Sequence, residues 1–305
     1  MYKLHFFIFG ALMLGTMVAC QKQDVGLTDD AILESNKADI LTYATSKGFS
    51  GTMTASGLYY VLNKPSSSTI APVYGQEAEF NYKLYVLSRG SSSAAVTDQF
   101  VDSTYASKSS YIYIAQPGTN ASSVDLNPGL IEGLLRMHEG DQATVLLPSV
   151  YGFGRAGAGN GVVPPNAPIR LDITLKRTRT EEQQIDEYLT ANKLTPTQVT
   201  TSGLRFIKTL DNPTGIAPTP TQRLTMKYRG QLLRSASAFD STGAGTYSAV
   251  VTQFVPGFSE GLSKLKVGEK ATILFPSRIG YGPNGYQIIP PYAPLRFDIE
   301  LVSAD

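Results

Sequence analysis

Leu295-Arg296-Phe297-Asp298-Ile299-Glu300-Leu301 alternates without a break between apolar and charged side chains. That period of two marks a β-strand with one buried and one wet face, the signature of an antiparallel sheet. Ile169, Leu171, Ile173 and Leu175 repeat the pattern in mid-chain. Reading back from each strand, one succession of motifs appears twice. The later copy runs Tyr228-Arg229-Gly230, Phe239-Asp240-Ser241, Val255-Pro256-Gly257-Phe258 with Glu260-Gly261, Gly280-Tyr281-Gly282, then Ile288-Ile289-Pro290-Pro291. The earlier copy runs Tyr82, Val101-Asp102-Ser103, Pro128-Gly129-Leu130 with Glu132-Gly133, Gly152-Phe153-Gly154, then Val162-Val163-Pro164-Pro165. A repeat of this length means two homologous domains.

The composition excludes several chemistries. The 305 residues carry 26 Lys and Arg against 25 Asp and Glu, so no basic field exists to hold nucleic acid. There are two histidines, His5 and His138, and one cysteine, Cys20. Triad-type nucleophilic catalysis therefore has only His138 as a base, and this residue lies in a turn (Arg136 to Gly140) where the second copy has Lys266. It reads as a surface residue. Cys/His zinc sites lack ligands, intramolecular disulfides are impossible and no phosphate loop is evident. The expectation is an activity without metal or cofactor.

Residues 1–19 form a short cationic start, an apolar run from Phe6 to Leu14 and a small-residue end, which fits a secretory signal. Met17-Val18-Ala19-Cys20 resembles a bacterial lipobox, whose cysteine becomes the lipid-modified first residue. Gln21-Lys22-Gln23-Asp24 then suits a tether over 20–30. A lipid anchor at Cys20, on the outer membrane of a cell envelope, is the implied location.

The two units are expected at 31–178 and 180–305. Each opens with a helix (Ala31 to Lys47; Glu181 to Lys193), followed after Ser56-Gly57 or Ser202-Gly203 by a strand. Alternation at Leu224, Met226 and Tyr228, and at Ala78, Phe80, Tyr82 and Leu84, predicts further strands with a solvated outer face. Phe258, Leu262 and Leu265 recur at helical spacing, so a short helix from Gly257 to Leu265, stopped by Gly268, is predicted to cover the buried face. Each unit is thus an α+β module.

These motifs, in this order, resemble FKBP-type peptidyl-prolyl cis-trans isomerases, and the resemblance covers most of the chain after the tether. It implies an antiparallel half-barrel wrapped around a short helix, with a proline ring held between them. By that resemblance Phe258 is the floor, a phenylalanine in place of the family's tryptophan, and Tyr228, Phe239 and Phe297 are walls. Val255 offers a backbone N–H to a substrate carbonyl, Asp240 and Tyr281 are polar rim groups, and Phe254 and Ile289 form the apolar lip beside Tyr286 and Ile288. The implied partners are X–Pro segments of unfolded or exported proteins.

Such residues suffice for the chemistry. Rotation about an X–Pro bond faces a barrier of about 18–20 kcal/mol because amide resonance must be broken. No proton leaves and no bond is cleaved. A dry aromatic site disfavours the charge-separated planar amide, and a few fixed donors hold the twisted form. The first unit keeps Tyr82 and Asp102 but has Leu130, Phe153, Val163, Leu171 and Val101 at the other matching positions, with Asn127 for Val255 and a longer segment from Ser103 to Asn127. A slack, weakly active or inactive site is expected there. The competing reading is an FKBP-like chaperone or assembly factor without turnover.

Overall fold

The computed structural model describes residues 28–90, 94–104, 109–117 and 128–305. The leader, Cys20, most of the tether, Asn127 and much of the segment before it lie outside the described residues. Those described form two compact units, whose main changeover falls between Thr178 and Arg179.

The first unit comprises α1 (Asp29–Ser46), β1 (Thr52–Met53), β2 (Tyr59–Lys64), β3 (Glu77–Arg89), β4 (Val96–Ser103), β5 (Ser110–Tyr113), α2 (Pro128–Leu134), β6 (Gln142–Leu147) and β7 (Ile169–Arg179). The second comprises α3 (Glu181–Ala191), β8 (Gln198–Val199), β9 (Arg205–Leu210), β10 (Arg223–Leu232), β11 (Ala238–Ser241), β12 (Tyr247–Val250), α4 (Pro256–Ser263), β13 (Lys270–Phe275) and β14 (Leu295–Ala304). Their sheets share one plan. The first runs β1-β2-β6-β7-β3-β4 with β5 on β3, and the second β8-β9-β13-β14-β10-β11 with β12 on β10. The pairings of β14 with β10 and β13 are antiparallel, as the alternation implied.

Local chemistry sets the helix starts. Thr28 caps α1 through Oγ1, which accepts the Ala31 N–H at 3.2 Å, and Thr180 with Gln183 closes a reciprocal capping box on α3. In α4, Val255 is the N-cap and Pro256 occupies the first helical position, where a missing N–H costs nothing. A Cβ on Gly257 would stand 2.6 Å from the Phe275 ring, so only glycine lets α4 lie this close to β13.

Two expectations need correction. The short helix ends at Ser263, closed by tight bonds from Lys264 to Gly261 and Leu265 to Leu262, so Gly268 does not stop it. Gly268 instead sits at φ +86° in the turn before β13. The outer sheet face is also only partly wet. Ile40, Tyr43 and Ala44 of α1 pack there on Tyr59, Val61, Leu87 and Leu146, and Ile185 and Leu189 of α3 pack on Ile207 and Leu274. The physical reason lies in β6 and β13, where Ala143–Leu147 and Ala271–Phe275 are buried at every position, the pattern of strands covered on both sides.

A buried carboxylate recurs in the turn before β6 and β13. Asp141 accepts the backbone N–H groups of Ser66 and His138 at 2.6 and 2.7 Å. Glu269 accepts Lys208 Nζ at 2.8 Å and the N–H groups of Lys266 and Asn212 at 2.9 and 3.3 Å. Burial pushes both carboxyls up, but these donors outweigh it and hold both below the usual range. His138, half exposed beside Asp141, is the surface residue its turn implied.

Candidate active site

In the second unit the concave side of the sheet and α4 bring six aromatic rings together. Phe258 and Phe297 are buried and form the base, their centroids 5.0 Å apart and edge to face. Tyr228, Phe239 and Phe254 are partly exposed and stand around them. Tyr228 lies 5.6 Å from Phe258, Phe239 5.5 Å from Phe297, and Phe254 4.8 Å from Phe258. Phe275 stacks behind Phe297 at 5.8 Å. Such contacts each add about 0.5–1.5 kcal/mol beyond area burial, so the base is stiff.

The polar groups sit at the edge of this cluster. The Tyr228 hydroxyl donates to Asp240 Oδ2 at 2.8 Å. Burial, then the bond to Asp240 and its charge, pushes the Tyr228 phenol well up, so it stays a neutral donor. Tyr281 stacks on Tyr286 at 5.2 Å, and burial followed by the charge of Asp240 raises its phenol as well. The Val255 amide, preceding Pro256 at the head of α4, has no intrachain acceptor among the described residues. It is one of the N–H groups that a helix start leaves without an intrahelical partner.

The loop after β13 carries Tyr281, Tyr286, Ile288 and Ile289. Its tip is closed by paired bonds between Tyr286 and Ile289 at 2.8 and 2.9 Å, and the Tyr292 N–H donates to the Gly282 carbonyl at 3.1 Å. Ile289 is buried beneath the tip, whereas Ile288 and Tyr286 are exposed. The exposed part of the lip is therefore Phe254, Tyr286 and Ile288. Two shallow clefts of about 440 Å³ lie elsewhere on this unit: one crosses the charged side of β10, β13 and β14 and has Tyr228 as its one residue of the ring cluster, and the other is lined by none of the rings.

Two contributors escaped the sequence reading. Tyr247 of β12 is exposed and makes edge contacts with Tyr228 and Phe254 at 6.4 and 6.2 Å. Its signal was the alternation with buried Ala249. Gly230 is the other. A Cβ there would stand 2.5 Å from the Phe297 ring and 2.7 Å from the Phe239 ring, so the walls occupy the volume a side chain would need.

The first unit keeps the rim pair and loses the base. Tyr82 donates to Asp102 Oδ2 at 2.7 Å, matching Tyr228 and Asp240. Leu84 pairs with Asp102 just as Gly230 pairs with Asp240, and its side chain is buried. Around it lie Val163 and Leu171, both buried, with partly buried Val101, Leu130 and Phe153. Aliphatic Val101, Leu130 and Leu171 thus stand where the second unit has Phe239, Phe258 and Phe297.

Comparison with known proteins agrees with this geometry. Two stretches, residues 70–176 and 215–302, match the FKBP_C family, described as FKBP-type peptidyl-prolyl cis-trans isomerase, and together they make up more than half of the chain. The chain belongs to the FKBP-type peptidyl-prolyl cis-trans isomerase family. FK506-binding protein 1 of Gibberella zeae is 39% identical over 95 residues, which are 28% of this chain and 86% of that protein. The FKBP-type isomerase FkpA of Aeromonas hydrophila is 33% identical over 122 residues, 39% of this chain and 45% of that one. Outer membrane protein MIP of Legionella longbeachae is 33% identical over 132 residues, 42% of this chain and 56% of that one. The FKBP fold and enzyme class thus apply to both repeats as a family assignment, and X–Pro peptide bonds are the substrate class.

Proposed function

We propose that the second unit carries the isomerase activity, that the first is a weakly active or inactive relative retained for binding, and that the protein assists folding of exported proteins at a bacterial cell envelope. The observation that carries this reading is the ring cluster of Phe258, Phe297, Tyr228 and Phe239 with an unsatisfied Val255 N–H at its edge. In this reading a proline ring rests on Phe258 and Phe297, and Tyr281 and the Val255 N–H are the donors to its preceding amide. The apolar base then disfavours the planar, charge-separated amide, and the donors hold the twisted carbonyl. X–Pro bonds in unfolded chains are about 10–30% cis and exchange over tens to hundreds of seconds, so such catalysis speeds folding.

The envelope location rests on the Met17-Val18-Ala19-Cys20 lipobox and the leader before it. Lipidation at Cys20 is read out by mass spectrometry of the purified protein, and a cysteine carrying no acyl mass contradicts the anchor. Domain boundaries at 31–178 and 180–305 are part of the same proposal.

The split between units is tested in the full chain with an X–Pro peptide. Asp240→Ala with Tyr281→Phe is expected to lower kcat/KM about tenfold or more, in line with the loss of fixed donors at a reacting amide. Asp102→Ala with Phe153→Ala is expected to change it less than about twofold, since those residues border no aromatic base. Equal losses from both pairs contradict the division of labour. The chaperone reading, favoured by the aliphatic first unit, is separated by an aggregation assay on the same variants. Suppression of aggregation that survives the second-unit pair, while isomerisation falls, assigns holding to the first unit.

A further inference from the structure

Glu181, the first residue of α3, reaches the loop that presents Tyr281. One carboxylate oxygen accepts the backbone N–H of Ser277, and the other accepts Ser277 Oγ at 2.7 Å. Ser277 is buried and opens a single tight turn, Ser277–Ile279, closed by the Gly280 N–H on the Ser277 carbonyl at 2.7 Å. Tyr281 is the next residue. Beside this contact Arg278 donates to Glu182 Oε1 at 2.7 Å and to the Ser202 carbonyl at 2.9 Å. Glu182 is in turn bound by Arg205, which also holds Asp186 at 3.0 Å. The family match in this unit begins at residue 215, so all of α3 lies outside it.

The first unit builds the same contact with an uncharged group. Asn36 of α1 accepts the Ser149 N–H at 2.7 Å, and Ser149 opens the equivalent turn, Ser149–Tyr151. The Ser149 hydroxyl has no partner there, whereas the Ser277 hydroxyl is satisfied by Glu181. The unit with the aromatic base is the one with the doubly bonded brace.

We infer that α3 is a built-in brace of the active site, in which Glu181, acting through Ser277, is a positioning residue that fixes Tyr281 and the lip for isomerisation. The inference rests on the second unit being the catalytic one. A pair of charge-assisted bonds to a buried serine four residues before Tyr281 removes freedom from the segment that must hold a hydroxyl against the twisting amide. Misplacing such a group by about 1 Å can cost as much as a hundredfold in rate.

The brace is also acid-sensitive. Burial pushes the Glu181 carboxyl up, against the opposing pull of the Ser277 bonds and of Arg278. The groups facing it are Ser277 and Arg278 from the loop and Glu182 from its own helix, with Arg205 and Asp186 completing the cluster. Burial also pushes the Glu182 carboxyl up, but its bonds from Arg278 and Arg205 outweigh that and hold it low, so it stays ionised while Glu181 titrates. Above the raised Glu181 value both Ser277 bonds are charge-assisted; below it the carboxyl is neutral, the Ser277 hydroxyl bond must reverse to accept from the acid O–H, and both bonds weaken. Activity therefore falls as pH drops through a value above that of an ordinary glutamate.

The test uses the full chain and an X–Pro peptide. Glu181→Ala is expected to lower kcat/KM about tenfold, and Glu181→Gln, which keeps one acceptor as Asn36 does, about threefold. Glu181→Gln is also expected to lack the acid limb of the wild type. In a Tyr281→Phe background the added loss from Glu181→Ala shrinks below about twofold, because the hydroxyl it positions is gone. Folded Glu181→Ala with unchanged kcat/KM, or an undiminished loss in the Tyr281→Phe background, overturns the inference. If Glu181→Ala does not fold, Glu181→Gln decides through its acid limb, and a limb identical to the wild type overturns the inference. Hydrogen exchange of residues 277–289 separates this failure from that of the catalytic reading. A wild type without isomerisation sinks the catalytic reading, whereas unaltered exchange in Glu181→Gln and Glu181→Ala sinks the brace.

Discussion

Replacing Gly230 by leucine is expected to reduce kcat/KM on an X–Pro peptide about a hundredfold while costing about 1–3 kcal/mol of stability. A Cβ at this position would meet Phe297 at 2.5 Å and Phe239 at 2.7 Å, and neither is the tip of a flexible chain. Phe297 is pinned by Phe258 on one side and by Phe275 behind it, so the strain moves the wall and base rings together. The first unit has made this change already: Leu84 stands where Gly230 does, and Leu171 and Val101 replace the rings it would strike. Total volume is roughly kept and the fold is preserved, while the aromatic base is lost. The reverse change, Leu84→Gly alone, is accordingly expected to leave a cavity and create no activity. Steady-state kinetics with thermal unfolding of both variants checks this, and a Gly230→Leu protein within about twofold of wild type contradicts it.

Loss of the Glu269 carboxylate is expected to destabilise the second unit and to change its response to acid. The side chain is fully buried and accepts from Lys208, Lys266 and Asn212. Glu269→Ala strands the Lys266 and Asn212 N–H groups, while Lys208 keeps Asp211, and is expected to cost about 1–3 kcal/mol, the scale for leaving backbone donors unsatisfied. The pH dependence follows from the sign of the shift. The folded carboxyl is held below its unfolded value, so its contribution is fully present above the unfolded value and is lost as pH falls through the depressed one. Between pH 7 and pH 3 the wild type should lose stability, and Glu269→Gln should lose less. Hydrogen exchange of the β13 and β14 amides in each protein is the readout. Equal acid sensitivity of variant and wild type would show that Glu269 is not the group responsible.

The parts of this molecule that were legible in advance are those written locally. The alternation of Leu295 to Leu301 specifies β14, and its burial pattern agrees at every position from Leu295 to Leu301. The aromatic set was legible because Tyr228, Phe239, Phe258 and Phe297 stand in a fixed order beside turn motifs that the first copy repeats, and the structure brings all four together. What stayed hidden depends on contacts made at a distance. Charged Arg296 and Asp298 suggested a free outer face, yet Arg296 donates to the Tyr188 hydroxyl of α3 at 2.5 Å, which docks the helix there. The role of Gly230 is a missing side chain, visible only once two rings are seen to fill its place. Glu181 and Ser277 lie 96 residues apart in the chain, and nothing near either one announces the other. Ile288 and Ile289 illustrate a subtler limit: adjacent and identical in chemistry, one is exposed and the other buried because the loop tip turns between them.

The most direct measurement is nuclear magnetic resonance of the full chain with an X–Pro peptide. It records cis–trans exchange of the peptide and the amide shifts of the protein in one sample. The expected result is exchange accelerated to the point of visible cross-peaks, with shifts centred on Val255, Phe258, Tyr281 and Phe297. A peptide that exchanges no faster than in buffer, or one that moves only amides of the first unit, would contradict the assignment of catalysis to the second unit's rings.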